Sequence, residues 1–206
     1  MTAVIDYGVG NLFSLCCSLE AIGEKAVVSS NPDEIRKADK VILPGVGAFS
    51  DAIQKLRESG LDTVVKEVAE SGTPLLGICI GMQLLFEKSY EFGEHEGLGL
   101  IPGSVRPITD VISSDLKIPH IGWNALEFGE KKHPLFAHVE NGGCVYFVHS
   151  YYAADCAEFT TATTEYGATL TAAVAKGNIM GCQFHPEKSG TLGLAILKSF
   201  CQEVAK

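Results

Sequence analysis

The stretch Pro74 to Phe86, PLLGICIGMQLLF, constrains this chain more than any other. Its apolar run Leu75, Leu76, Gly77, Ile78 is too short for a helix and follows Thr73-Pro74, so it reads as a buried strand of a parallel sheet. Met82, Leu84, Leu85 and Phe86 then recur at helical spacings, which leaves almost no chain between strand and helix. Cys79 stands at that junction, with Gly77 and Gly81 two residues away on either side. This is the Gly-x-nucleophile-x-Gly spacing that holds a reactive side chain on a strained strand-to-helix turn. Small neighbours let the chains approach, and the strain aims the side chain out of the sheet. A thiol so placed sits at a helix N-terminus, where backbone N–H groups favour thiolate. The competing reading is a small buried hydrophobe, a common fate of free cysteine.

A cysteine nucleophile needs a base, and Gly181 to Glu187, GCQFHPE, offers one. Alternation of Ile179, Gly181 and Gln183 with Met180, Cys182 and Phe184 predicts a strand ending at His185, where Pro186 forbids further pairing. On an extended segment His185 and Glu187 project to the same side, so one carboxylate could orient one imidazole. Alone, His-x-Glu reads as a solvated ion pair at a strand end. Beside the Cys79 junction it reads as the base and orienter that a thiol nucleophile requires.

The rest of the chain sets these two stretches in an α/β context. Thr2 to Ile5, Ala26 to Val28 and Val41 to Leu43 read as strands, separated by helices over Leu12 to Ile22 and from Pro32. The units imply a doubly wound, mostly parallel central sheet with flanking helices, its site at the carboxyl ends of the strands. A helical stretch from Phe49 to Gly72 breaks at Gly60, and the charged, glycine-rich residues Glu87 to Gly99 read as a loop over the site. From Ile101 short strands with turns predominate, adding antiparallel strands in the C-terminal half, and Ser189 to Val204 closes as an amphipathic helix. A single domain spanning 1–206 is expected. Gly8-x-Gly10 suggests a dinucleotide loop, but Phe13 stands where the third glycine belongs, so no cofactor is expected.

Composition excludes several classes. A formal net charge of −9 with no basic run argues against a nucleic-acid partner. No stretch of about 18 apolar residues appears and the start lacks a signal-peptide pattern, so no membrane association and a cytoplasmic location are expected. The seven cysteines form no disulfide framework. Neither they nor His95, His120, His133 and His138 fall at metal-ligand spacing, so no metal is assigned. His149 could compete as a base, but Tyr146, Phe147 and Val148 before it suggest a strand residue.

GICIGMQ, QFHPEKS, PGVGAF and DYGVGN together resemble the cysteine-triad glutamine amidotransferases, over essentially the whole chain. DYGVGN, PGVG, GLGLIPG, IGWN and YFVHSY are most similar to the glutaminase subunits of imidazole glycerol phosphate synthase. The resemblance implies a flavodoxin-like fold and L-glutamine as substrate. It also implies a heterodimer with a (β/α)₈ cyclase subunit that consumes the ammonia in histidine biosynthesis. Cys79, His185 and Glu187 would be the triad. The N–H of Ile80 would donate to the oxyanion, with Val46 and Gly47 of the glycine loop as the second donor. The resemblance puts Gln83, Glu91 and the main chain of Ser150 and Tyr151 around the substrate. It puts Asn11, Trp123, Tyr146 and Lys188 at the partner interface, where Trp123 has a core aromatic as its alternative. Competing functions are a glutaminase for another synthase, such as the one making pyridoxal phosphate, or a non-catalytic regulatory module of the same fold.

Overall fold

In the computed structural model, which describes residues 1–204, the first half alternates strand and helix as the apolar runs require. β1 (Thr2–Ile5), α1 (Leu12–Ala21), β2 (Ala26–Ser29), α2 (Pro32–Arg36) and β3 (Lys40–Leu43) are followed by α3 (Phe49–Glu58) and α4 (Leu61–Glu70). Asn31 accepts from the Asp33 N–H at 2.9 Å and Pro32 takes the first helical position, which starts α2. Gly60, at φ 71°, divides α3 from α4 in the left-handed conformation that glycine adopts cheaply. Both helices bury one face: Phe49, Ala52, Ile53 and Leu56 on α3, Leu61, Val64, Val65 and Val68 on α4.

β4 (Leu75–Ile78) runs into α5 (Ile80–Leu84), and then come β5 (Phe86–Ser89), β6 (His95–Glu96) and β7 (Ile101–Pro107). β8 (His120–Ala125), β9 (Cys144–His149), β10 (Tyr151–Ala154), β11 (Thr160–Glu165), β12 (Thr169–Lys176), β13 (Ile179–Cys182) and α6 (Gly190–Gln202) complete the order. The main sheet has the order β11-β12-β13-β4-β3-β1-β2. Its five strands from β13 to β2 are parallel, and β12 and β11 add the antiparallel edge. A four-stranded sheet, β10-β7-β5-β6, and a ribbon, β8-β9, stand apart from it. β4 lies between β3 and β13, and all four of its residues are buried. The adjacent carboxyl ends of β3, β4 and β13 therefore deliver the Pro44–Gly47 loop, Cys79 and the chain leading to His185 to one place.

Three expectations need correction. The helix after Cys79 stops at Leu84, and Phe86 begins β5. Leu98 N–H donates to the Leu84 carbonyl and Leu100 N–H to the Leu85 carbonyl, each at 2.8 Å, so a returning segment takes the groups a longer helix would have used. Consequently Glu87 to Gly99 is no loop: β5, a turn and β6 occupy most of it. The strand before His185 ends at Cys182: Gln183 N–H still reaches the Ala172 carbonyl of β12, but the chain then leaves the sheet and His185 N–H crosses to the Tyr146 carbonyl of β9 at 2.9 Å.

Candidate active site

The turn at Cys79 is strained in the sense its spacing predicts. Its φ of 54° and ψ of −111° lie where side chains are rarely tolerated. Its N–H continues the parallel ladder to the Cys182 carbonyl at 2.8 Å, and the next residue is already helical. The flanking glycines are needed for approach: a Cβ on Gly81 would stand 1.9 Å from the Leu43 oxygen, and one on Gly77 2.6 Å from the Gly81 oxygen. The Pro44–Gly47 loop rests on the same turn, for a Cβ on Gly45 would lie 2.7 Å from the Gly81 nitrogen. Gly47, at φ 88°, and the exposed Val46 face the pocket together with Ile80.

His185 and Glu187 meet, though not by extension. Glu187 lies in a 3-10 turn over Pro186–Lys188, which folds its Oε1 back to 2.8 Å from His185 Nδ1. Both side chains are nearly inaccessible to solvent, so the solvated ion pair is excluded. Burial lowers the affinity of His185 for its proton, but hydrogen bonding and charge from Cys79 and Glu187 outweigh it, and its pKa is raised to about 9. The imidazole therefore carries its proton at neutral pH.

The cavity of about 360 Å³ in front of Cys79 is also lined by Gln83, Glu91, Ser150, Tyr151 and Lys188. Gln83 is 2% exposed rather than a surface polar group. Its Nε2 donates to the Tyr151 carbonyl at 3.3 Å and to Gln183 Oε1 at 2.9 Å, while its Oε1 is buried with no partner. Glu91 is likewise buried; it accepts from Phe49 N–H at the start of α3, and burial raises its pKa. The carbonyls of Ser150 and Tyr151 are already engaged, Ser150 by Ile108 N–H and Tyr151 by Gln83 and His149.

His149 is removed as a competing base. A carbonyl can only accept, so its Nδ1, 2.8 Å from the Tyr151 oxygen, carries the hydrogen. Its Nε2 meets His120 Nδ1 at 3.0 Å, and burial brings its pKa down to about 4. Trp123 is 54% exposed and pairs with Tyr146 across the ribbon, ring centroids 6.1 Å apart. Lys188 Nζ lies 5.9 Å from the Tyr146 centroid. Asn11 lines a small separate crevice with Pro44, His185 and Glu187.

Tyr7 and Gln183 were not singled out by the sequence, yet both reach the site. Tyr7 OH donates to the Pro44 carbonyl at 2.7 Å, and its proton is held tightly by burial and by the charge of Cys79. Gln183 touches the sulfur itself, Nε2 to Sγ 3.7 Å. Its place two residues before His185 was the available signal. Among the described residues no cluster of three or more His, Cys, Asp or Glu could hold a metal ion, and no helix is long and apolar enough to cross a membrane. A second groove, lined by Thr160, Thr163 and Asp155, is larger and more open but contains neither Cys79 nor His185.

A model of the family described as glutamine amidotransferase class-I matches residues 3–204. The chain belongs to that family. Imidazole glycerol phosphate synthase subunit HisH of Bacillus cereus (strain B4264) is 51% identical to this amidotransferase over 201 residues, spanning 97% of this chain and 93% of that protein. The subunit of the same name from Carboxydothermus hydrogenoformans is 51% identical over 199 residues, spanning 97% and 98%. Among solved structures, that of PurLQS from Thermotoga maritima superposes with a TM-score of 0.76, covering 99% of this chain and 98% of that one. At 18% identity it attests a shared fold alone.

Proposed function

We propose that this chain is the glutaminase subunit of imidazole glycerol phosphate synthase, releasing ammonia from glutamine at Cys79 for a separate (β/α)₈ cyclase subunit in the cytoplasm. The observation that carries the chemistry is the strained Cys79 turn facing an imidazole that Glu187 orients. The identity of the synthase is supported by the full-length likeness to the HisH subunits.

In this reading Cys79 Sγ attacks the carboxamide carbon of glutamine and a C–S bond forms. The oxyanion is met by the Ile80 N–H and by a peptide N–H of the Val46–Gly47 loop. His185 already holds a proton at neutral pH, so it acts first as the acid: it gives that proton to the amide nitrogen as the C–N bond breaks. Ammonia departs and a γ-glutamyl thioester remains. Water then attacks the thioester, His185 takes up a proton, and glutamate leaves as the sulfur regains its electron pair. Glu187 keeps the imidazole oriented throughout. Gln83 Oε1 and the Glu91 carboxylate are the acceptors offered to the substrate.

Free ammonia would be protonated in water, so the pocket mouth should be covered by the subunit that uses it. Asn11, Trp123, Tyr146 and Lys188 form the proposed partner surface, and of these Lys188 lines the pocket itself. Gly45 and Gly47 give the loop freedom to turn its donor toward or away from the oxyanion. The experiment is glutamate release from glutamine by this chain alone, with the cyclase subunit, and with that subunit plus its nucleotide substrate. Release should be slow alone and rise at least about tenfold in the complete mixture. No release under any of the three conditions would contradict the proposal.

A further inference from the structure

We infer that Gln183 is a further catalytic residue of this glutaminase: its side-chain amide donates an N–H to the sulfur of Cys79 and holds it as the thiolate. The inference rests on the reading of Cys79 as the nucleophile. Gln183 follows β13, is fully buried, and its Nε2 stands 3.7 Å from Cys79 Sγ. That separation suits an N–H on sulfur, whose radius exceeds that of oxygen.

Which end of a glutamine amide is nitrogen follows from its hydrogen bonds, and here a main-chain atom decides. The Tyr151 carbonyl can only accept, so the Gln83 atom 3.3 Å from it is Nε2. The same nitrogen lies 2.9 Å from Gln183, so the Gln183 atom facing it must be the acceptor Oε1. The remaining end of Gln183, against the sulfur, is then the donor. His149 Nδ1–H on the same Tyr151 oxygen fixes the anchor of this chain. A thiol proton aimed at Gln183 would meet an N–H with no lone pair, so the contact is made for a sulfur that has lost its proton.

A second physical point gives the contact its use. A buried anion is costly unless hydrogen-bonded, and α5 is barely more than one turn long, so side chains in contact must do most of the stabilising. His185 supplies one partner and Gln183 the other. In the thioester the sulfur is a weak acceptor, so the Gln183 contact is strong only in the free thiolate. It therefore favours the end of deacylation, when the C–S bond breaks and its electron pair returns to a sulfur already facing an N–H. Charge on Cys79 is also felt by Tyr7, after β1, and by Cys182, on β13, and raises the pKa of each.

The test is the pH dependence of Cys79 alkylation by iodoacetamide, read by peptide mapping, in the wild-type chain, Gln183→Met and Gln183→Glu. Methionine keeps the volume and removes the donor; glutamate keeps the shape and sets an acceptor against the sulfur. The alkylation midpoint should rise by about one pH unit in Gln183→Met, with an about tenfold slower reaction at pH 6, and further in Gln183→Glu. If Gln183→Met fails to fold, the isosteric Gln183→Glu carries the test. A wild-type midpoint in either folded variant would overturn the inference. Wild-type labelling chiefly at another cysteine would instead overturn the assignment of Cys79.

Discussion

At Cys79 the backbone conformation, the imidazole and the glutamine amide all act on one sulfur atom, and reactivity should follow. A glutamine-like electrophile should label Cys79 and spare Cys16, Cys17, Cys144, Cys156, Cys182 and Cys201, as peptide mapping would show. Cys182 and Cys156 are buried in surroundings that raise their thiol pKa, which supports the selectivity. His185 gives a second expectation. Its pKa rises from an ordinary 6.5 to about 9 on folding, so the folded state holds the proton more tightly. The stabilisation is complete below about pH 6.5 and is lost as pH climbs through about 9. Melting temperature should therefore fall across that window, and His185→Asn should flatten the fall; an unchanged slope would contradict the assigned proton. Cys79, His185 and Glu187 were legible in the sequence because each lies in a short motif with its own local signal. Tyr7 was not, since its partner Pro44 lies 37 residues away; Gln183 stands in the motif of His185, but its contact with Cys79, 104 residues away, shows only in the fold.

The strands adjoining the site explain why some boundaries could be read and others not. β4 is buried along its whole length and announces itself as an apolar run, whereas β5 is a mixed FEKS segment, buried at Phe86 and Ser89 and paired in parallel with β7. The charged composition of β5 hid it. Close packing at the turn makes a prediction at this scale: Gly81→Ala would press its Cβ onto the Leu43 carbonyl, and backbone there cannot yield cheaply. A loss of about 3 kcal/mol in urea unfolding is expected, together with loss of glutaminase activity. Wild-type stability would mean that the turn is looser than described. The β8-β9 ribbon carries the other expectation. Because Trp123 is half exposed and leans on Tyr146, the core alternative for it is set aside. Trp123→Ala should weaken association with the cyclase subunit at least roughly tenfold while leaving the free chain folded, as calorimetric titration and circular dichroism would report.

Across the whole molecule, sheet order does the organising, for three neighbouring parallel strands end at one pocket although their sequences are far apart. The α/β alternation of the first half made that architecture readable; the placement of the β10-β7-β5-β6 sheet depended on pairings no local pattern reveals. If the pocket serves only to release ammonia, its chemistry must be separable from the synthesis that consumes it. Cys79→Ala, assembled with the cyclase subunit, provides the direct measurement: product formation from glutamine and, separately, from added ammonium salt. Glutamine-dependent synthesis should fall by about a thousandfold or more, with ammonium-dependent synthesis preserved within about twofold. Loss of both activities in a folded, assembled complex, or retention of glutamine-dependent synthesis, would contradict the account.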